Sequence, residues 1–140
     1  MIKITDLPFN QLIGIEESLD SDYDLCLKND LKYTNHLGTV HASALFSLAE
    51  TTSGYFLLRH FPEYQSGLIP VVRQVEVKYK KPAIGVVNSV AALIDSTIED
   101  IKEQLVHKNR AFVKLKVDLY DGNNTHVFAG NFDWFVTVQG

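Results

Sequence analysis

His41–Arg59 reads HASALFSLAETTSGYFLLR, long enough for about five turns of helix. Thr39, just ahead of it, is a suitable N-cap. From Ala42 to Leu58 the only ionisable acid or base is Glu50, and apart from Tyr55 the remaining polar side chains are small Ser and Thr. A helix that is apolar nearly all round is a buried helix. In a chain of 140 residues, something must wrap around it.

The flanking sequence supplies the wrapping. Ahead of the helix, Thr5–Gln11 is a short helix candidate, with Thr5 as cap and Pro8 tolerated early. Leu12–Ser18 and Tyr23–Lys28 read as short strands, followed by an Asn- and Lys-rich loop over Asn29–Gly38. Beyond the helix, Leu68–Lys80 is β-rich, Lys81–Gly85 (KPAIG) is a turn and Val86–Thr97 is a long strand. Ile98–Asn109 has helical spacing at Ile98, Ile101, Leu105 and Val106. Ala111–Tyr120 alternates cleanly, with Val113, Leu115, Val117 and Leu119 on one face. Asp121–Asn124 is a hairpin turn, and His126–Gln139 is the last strand. The order β-β-α-β-β-α-β-β does not alternate as a parallel βαβ fold would. It predicts an α+β domain spanning residues 1–140, a curved, mainly antiparallel sheet wrapped around one long central helix. That shape is the hot-dog fold.

Composition narrows the function. Thirteen Lys and Arg against seventeen Asp and Glu give a net charge of −4, which argues against a general nucleic-acid binder. The single cysteine, Cys26, permits neither an internal disulfide nor a Cys-based metal site, and a reducing cytoplasm is the expected compartment. No run approaches the roughly 20 apolar residues that span a bilayer, and Met1–Leu12 lacks the features of a signal peptide. His60, His107 and His126 make no metal-ligand spacing. There is no Gly-rich phosphate loop and no nucleophile-elbow motif.

The chemistry-bearing residues cluster at the helix start. Asn35-His-Leu-Gly38-Thr-Val-His41-Ala42-Ser43 leads into the helix, Glu50 follows nine residues after His41, and Tyr79-Lys80-Lys81-Pro82-Ala83 lies downstream. Here the chain resembles the hot-dog acyl-CoA thioesterases, in particular the phenylacetyl-CoA thioesterase-like branch. That branch shows Asn, Gly, His-Gly-Gly and then an acid nine residues after the His. The resemblance runs from about Leu12 to Val138. One departure stands out: Ala42 and Ser43 replace the family's two glycines. In the family the first glycine's N–H helps hold the thioester carbonyl. Alanine keeps the N–H and adds a methyl group, which fits a tighter pocket, a different substrate or lost catalysis.

Elementary chemistry agrees with the resemblance. Thioester hydrolysis needs a carboxylate to activate water or attack directly, and donors for the developing oxyanion. Glu50 in an apolar helix should have a raised pKa; the alternative is a structural acid bonded to a neighbouring Ser or Thr. Nine residues of helix rise about 13.5 Å and turn about 900°, half a turn out of phase. Within one chain, Glu50 and the Ala42 N–H therefore cannot both touch one carbonyl carbon. Two helices antiparallel about a two-fold axis can bring them together, and the resemblance implies such a site across a dimer interface.

The expectation is thus an acyl-CoA thioesterase, a homodimer or homotetramer, acting on an acyl-CoA or acyl-carrier thioester. Glu50 is the general base or nucleophile. Ala42 and Asn35 stabilise the carbonyl oxygen and His41 supports them. Gly38, Ser43, Arg73, Lys80 and Lys81 are substrate-binding candidates, the two lysines for the phosphates of coenzyme A. Asn35 can also be read as a turn residue and His41 as local packing, while solvated hairpin lysines are the preferred reading of Lys80 and Lys81. No metal or redox cofactor is called for, coenzyme A being part of the substrate. A hot-dog dehydratase is disfavoured because His41-Ala-Ser43 is not the expected segment. A non-catalytic acyl-CoA-binding protein is the rival that the Ala-Ser pair favours.

Overall fold

The computed structural model describes residues 3–64 and 67–139. A single turn of 3-10 helix at Ile4–Asp6 leads to α1 (Pro8–Ile13), then β1 (Glu16–Glu17), β2 (Leu25–Leu27), α2 (Ala42–His60), β3 (Leu68–Tyr79), β4 (Val87–Leu93), α3 (Ile98–Lys108), β5 (Arg110–Tyr120) and β6 (His126–Val138). The strands form one antiparallel sheet in the order β1-β2-β4-β5-β6-β3. The expected α+β hot-dog arrangement is present, with the sheet folded over α2.

Alternation decides which face of the sheet meets the helix. Val113, Leu115, Val117 and Leu119 of β5 are buried, as are Phe132, Trp134 and Val136 of β6. They pack with Leu45, Leu48, Ala49 and Leu57 of α2. The small polar residues of α2 pin it to its surroundings instead of weakening it. Trp134 Nε1 donates to Ser53 Oγ at 3.0 Å, Thr52 Oγ1 pairs with Ser89 Oγ at 2.6 Å, and Thr51 Oγ1 donates to Asn10 Oδ1 at 3.2 Å. Each hydroxyl satisfies a buried polar group that an apolar wall would strand.

Several boundaries differ from the sequence expectation. The first helix starts at Pro8 with Leu7 as its N-cap, so Thr5 caps nothing, and Leu12 and Ile13 belong to this helix and not to a strand. Val86–Thr97 contributes strand only over Val87–Leu93. The N-cap of α2 is His41, not Thr39. The helix is not buried all round either: His41, Ala42 and Ser43 are exposed, and Phe46, Ser47 and Glu50 are half-buried. Finally, β5 is paired on both sides. The long open edge belongs to β3, which among the described residues pairs only with β6.

Candidate active site

The site is built from the loop that precedes α2. Asn35 closes it. Its backbone N–H donates to Thr39 O at 2.8 Å, its Oδ1 accepts from the N–H groups of Leu37 and Thr39 at 2.9 and 3.1 Å, and its Nδ2 donates to Thr39 Oγ1 at 2.9 Å. Gly38 takes φ +78, a left-handed conformation that glycine adopts without penalty. The turn role weighed for Asn35 is therefore real. One of its two amide hydrogens has no acceptor among the described residues.

Two contacts aim the loop at the helix start. His41 N–H donates to Tyr33 O at 2.7 Å, and Val40 N–H donates to Ala83 O at 2.9 Å. Ala83 is fully buried, so the Pro82-Ala83 turn buttresses the segment just ahead of His41. That turn is held in place by Asp121, whose Oδ2 accepts from Ile84 N–H at 3.1 Å.

His41 then starts the helix. Its Nδ1 accepts from Ser43 N–H at 3.0 Å, which leaves Nε2 as the protonated nitrogen of the neutral ring. Ser43 N–H is consumed by this cap. Ala42, at the first helical position, is different: no hydrogen bond among the described residues uses its N–H. It is an exposed orphan donor at the positive end of a 19-residue helix, suited to a developing negative charge. His41→Ala should cost about 1 kcal/mol of stability through the lost cap, and His41→Ser should restore it. Urea denaturation measures both. If His41→Ser recovers stability and not turnover, the ring acts in the chemistry beyond capping.

Glu50 is half-buried, and burial pushes its carboxyl above the ordinary carboxylate pKa. Among the described residues nothing pairs with it: the hydroxyls of Ser47, Thr51, Thr52 and Ser53 are committed to Ser43 O, Asn10, Leu48 O and Glu50's own backbone O. The structural-acid alternative therefore lacks the neighbours it requires. Because His41 lies outside the helix, the relevant span runs from Ala42 to Glu50. It amounts to about 12 Å of rise and about 80° of phase. Axial distance, not a half-turn, keeps these two groups apart. Glu50 instead lines up within about 20° of Ser43, seven residues earlier, with Ser47 between them.

The other candidates lie elsewhere. Lys80 and Lys81 are exposed just past β3, their N–H groups directed at Val127 O. Arg73 sits at a β-bulge between Val72 and Gln74, its guanidinium 5.7 Å from the Phe135 ring centre. Phe135 points away from α2, since its neighbours Trp134 and Val136 are the buried ones. Arg73 is thus on the outer face of the sheet and does not join Glu50 within its own chain. Cys26 is buried and its thiol pKa is raised chiefly by that burial, which suits packing and not attack. Among the described residues no three His, Cys, Asp or Glu side chains are grouped to hold a metal.

With this geometry in hand, comparison places the chain. The sequence model of a family described as a domain of unknown function, DUF4442, matches residues 13–136. The chain belongs to this family. No curated protein matches it in sequence. Solved structures do. A protein of unknown function from Pseudomonas aeruginosa, described as a probable thioesterase, superposes with TM-score 0.80 at 24% identity, over 97% of this chain and 91% of that one. The E. coli PaaI protein of the phenylacetic acid degradation operon gives 0.67 at 15%, over 96% and 86%. A hypothetical thioesterase from Streptococcus pneumoniae, solved with coenzyme A, gives 0.61 at 20%, over 82% and 77%. This DUF4442 chain has the hot-dog fold of thioesterase-type proteins, PaaI among them.

One feature beside the candidate site escaped the sequence. A groove lies between α1 and the start of α2, lined by Phe9, Leu12, Tyr33, His41, Ser43 and Ala44 among others. The signal that could have found it is the apolar pair Phe9 and Leu12, spaced three apart in a segment too short to bury both. Reading Leu12 as the start of a strand hid that pairing.

Proposed function

We propose that the protein is an acyl-CoA thioesterase whose site is shared by two subunits, with Glu50 of one facing Ala42 of the other. The observation that carries this reading is the presence on one helix of a half-buried carboxylate and an exposed N–H that have no partner among the described residues. In the hydrolytic step the Glu50 carboxylate takes a proton from water as the water oxygen bonds to the thioester carbon. The carbonyl oxygen becomes an oxyanion held by the Ala42 N–H and the free amide hydrogen of Asn35. Collapse breaks the C–S bond, and the proton passes to the departing thiolate. Direct attack by the carboxylate, followed by hydrolysis of the anhydride, balances equally. Lys80 and Lys81 are available to the phosphates of coenzyme A, and water with a carboxylate requires no added cofactor. That structures of this fold include a probable thioesterase and a hypothetical thioesterase solved with coenzyme A supports the substrate class. Nothing in the described residues forms a helix able to cross a membrane, in keeping with a substrate met in water.

The shared site requires a dimer at least. The open edge of β3, 12 residues long, offers unpaired backbone groups that a second copy's strand would satisfy. Light scattering at micromolar concentration should give twice or four times the 15.8 kDa chain. A fully active monomer would rule out the shared site. The function itself is tested by thiol release over short, long and aromatic acyl-CoAs, where turnover of at least one class is expected. The second reading, a non-catalytic acyl-CoA-binding protein, is favoured by Ala42-Ser43 in place of glycines. It predicts a raised melting temperature with acyl-CoA and no thiol released.

A further inference from the structure

We propose that the groove between α1 and the first two turns of α2 is the acyl subsite, holding the hydrocarbon chain of an aliphatic acyl-CoA against Phe9 and Leu12. This rests on the thioesterase reading for the identity of the ligand, and on the groove itself for its place.

The cavity is about 450 Å³, within the usual range for small-molecule pockets. Phe9, Leu12 and Ile13 form one wall, and the Tyr33 ring and Ala44 belong to the other. Phe9 and Leu12 are 59% and 76% exposed although both are large and apolar. Three residues apart, they share one face of a six-residue helix. Such a pair, left open beside a cavity, offers an apolar ligand a surface to cover.

The groove is preformed. Asn10 is buried and donates to Ile4 O at 2.9 Å while accepting from Thr51 of α2. Tyr33 Oη donates to Ile13 O at the end of α1. The helix closes on Gly14 at φ +87, where a Cβ would meet Tyr33 Oη at 2.5 Å. The segment is therefore locked to α2 and to the loop, not merely resting on them.

Position then selects the occupant. His41 and Ser43 are among the residues that line the groove, and Ala42, whose N–H has no partner among the described residues, lies between them in sequence. A carbonyl oxygen at that N–H has its own acyl chain beside the groove. Lys32, Thr34 and Ser47 also line the groove, but the wall of Phe9, Leu12 and Ile13 offers no partner to the amides of a pantetheine arm, which makes that arm the poorer occupant.

The test is a chain-length series from acetyl- to octanoyl-CoA, run on the wild type, Leu12→Asp and Phe9→Ser, with S-ethyl- and S-octyl-CoA thioethers and coenzyme A alone as calorimetric probes. Each methylene that enters should raise kcat/KM, or tighten thioether binding, about three- to fourfold. Leu12→Asp should cut the octanoyl-to-acetyl ratio by about tenfold or more, and Phe9→Ser should do the same by removing the ring. Both side chains are exposed, so the fold should survive; circular dichroism checks this. If the wild type releases no thiol but its thioether affinity climbs with chain length and the climb is lost in the variants, the groove stands and the catalytic reading falls. If thiol is released and the chain-length dependence is the same in all three proteins, the groove proposal is overturned and the catalytic reading stands. If the variants instead split the oligomer in light scattering, a second copy covers the groove and the proposal is overturned.

Discussion

Glu50→Gln should lower kcat by about 10²–10⁴-fold, the range for loss of a general base, and a still larger loss would favour the nucleophilic route. Gln is nearly isosteric, so packing should survive. It can neither accept the water proton nor attack. In the wild type, activity should fall as pH drops through the raised pKa of Glu50, which burial holds above the ordinary carboxylate value. That acid limb should be missing from whatever activity Gln retains. Stability supplies a second readout. A carboxyl whose folded pKa lies above its unfolded value weakens the fold once ionised. The penalty is absent below the unfolded pKa of about 4.3, grows as pH rises between the two values, and is complete above the folded one. Gln escapes it, so the variant should melt higher than wild type at pH 7, with the gap closing as pH falls toward 4. Unchanged turnover in Glu50→Gln would move the chemistry elsewhere.

Ala42→Pro should cost about 10²–10³-fold in rate, the scale for removal of one oxyanion donor. The structure favours its folding. Ala42 is the first helical residue, where proline is well tolerated, and its N–H has no partner to lose. His41 before it has ψ 139, the extended backbone that a following proline prefers. Ala42→Gly keeps the donor and removes the methyl group, so turnover should persist and bulkier acyl groups should be accepted. A steady-state comparison across acyl-CoAs separates the two effects. Equal loss in both variants would mean that the backbone of the helix start, and not the N–H as a donor, is what both changes disturb.

How far the sequence reached differs between fold and site. The apolar 41–59 stretch required a wrapping sheet, and the strict alternation of Ala111–Tyr120 fixed which face it presented. Both follow from burial over long periodic segments, where tertiary packing and local pattern agree. In the N-terminal region the short helix and both strands are expected, but their bounds are not legible, because β1 and β2 are only two and three residues long, too short for a period to show. The groove beside α1 escaped because Leu12 reads as the start of a strand and belongs instead to that helix. At the site, the spacing of Asn35, His41 and Glu50 was visible in one dimension. The capping bond from Ser43 N–H to His41 was not, because a histidine ring is an unusual cap and Thr39 offered the commoner chemistry. Nor could pairing be foreseen: alternation alone does not say that β5 lies inside the sheet, between β4 and β6, or that β3 lies at its edge.

The shared site is tested most directly by mixing. Neither Ala42→Pro nor Glu50→Gln homodimers contain an intact pair. A dimer with one subunit of each kind contains one interface site with Ala42 and Glu50 both intact, and one with neither. Co-refolded or co-expressed subunits, separated by two different tags, should therefore recover about half of the wild-type rate per dimer if each site works independently. Hybrids that form and melt normally yet show no more thiol release than the two parent variants would contradict the account, since the two residues would then not act across the interface.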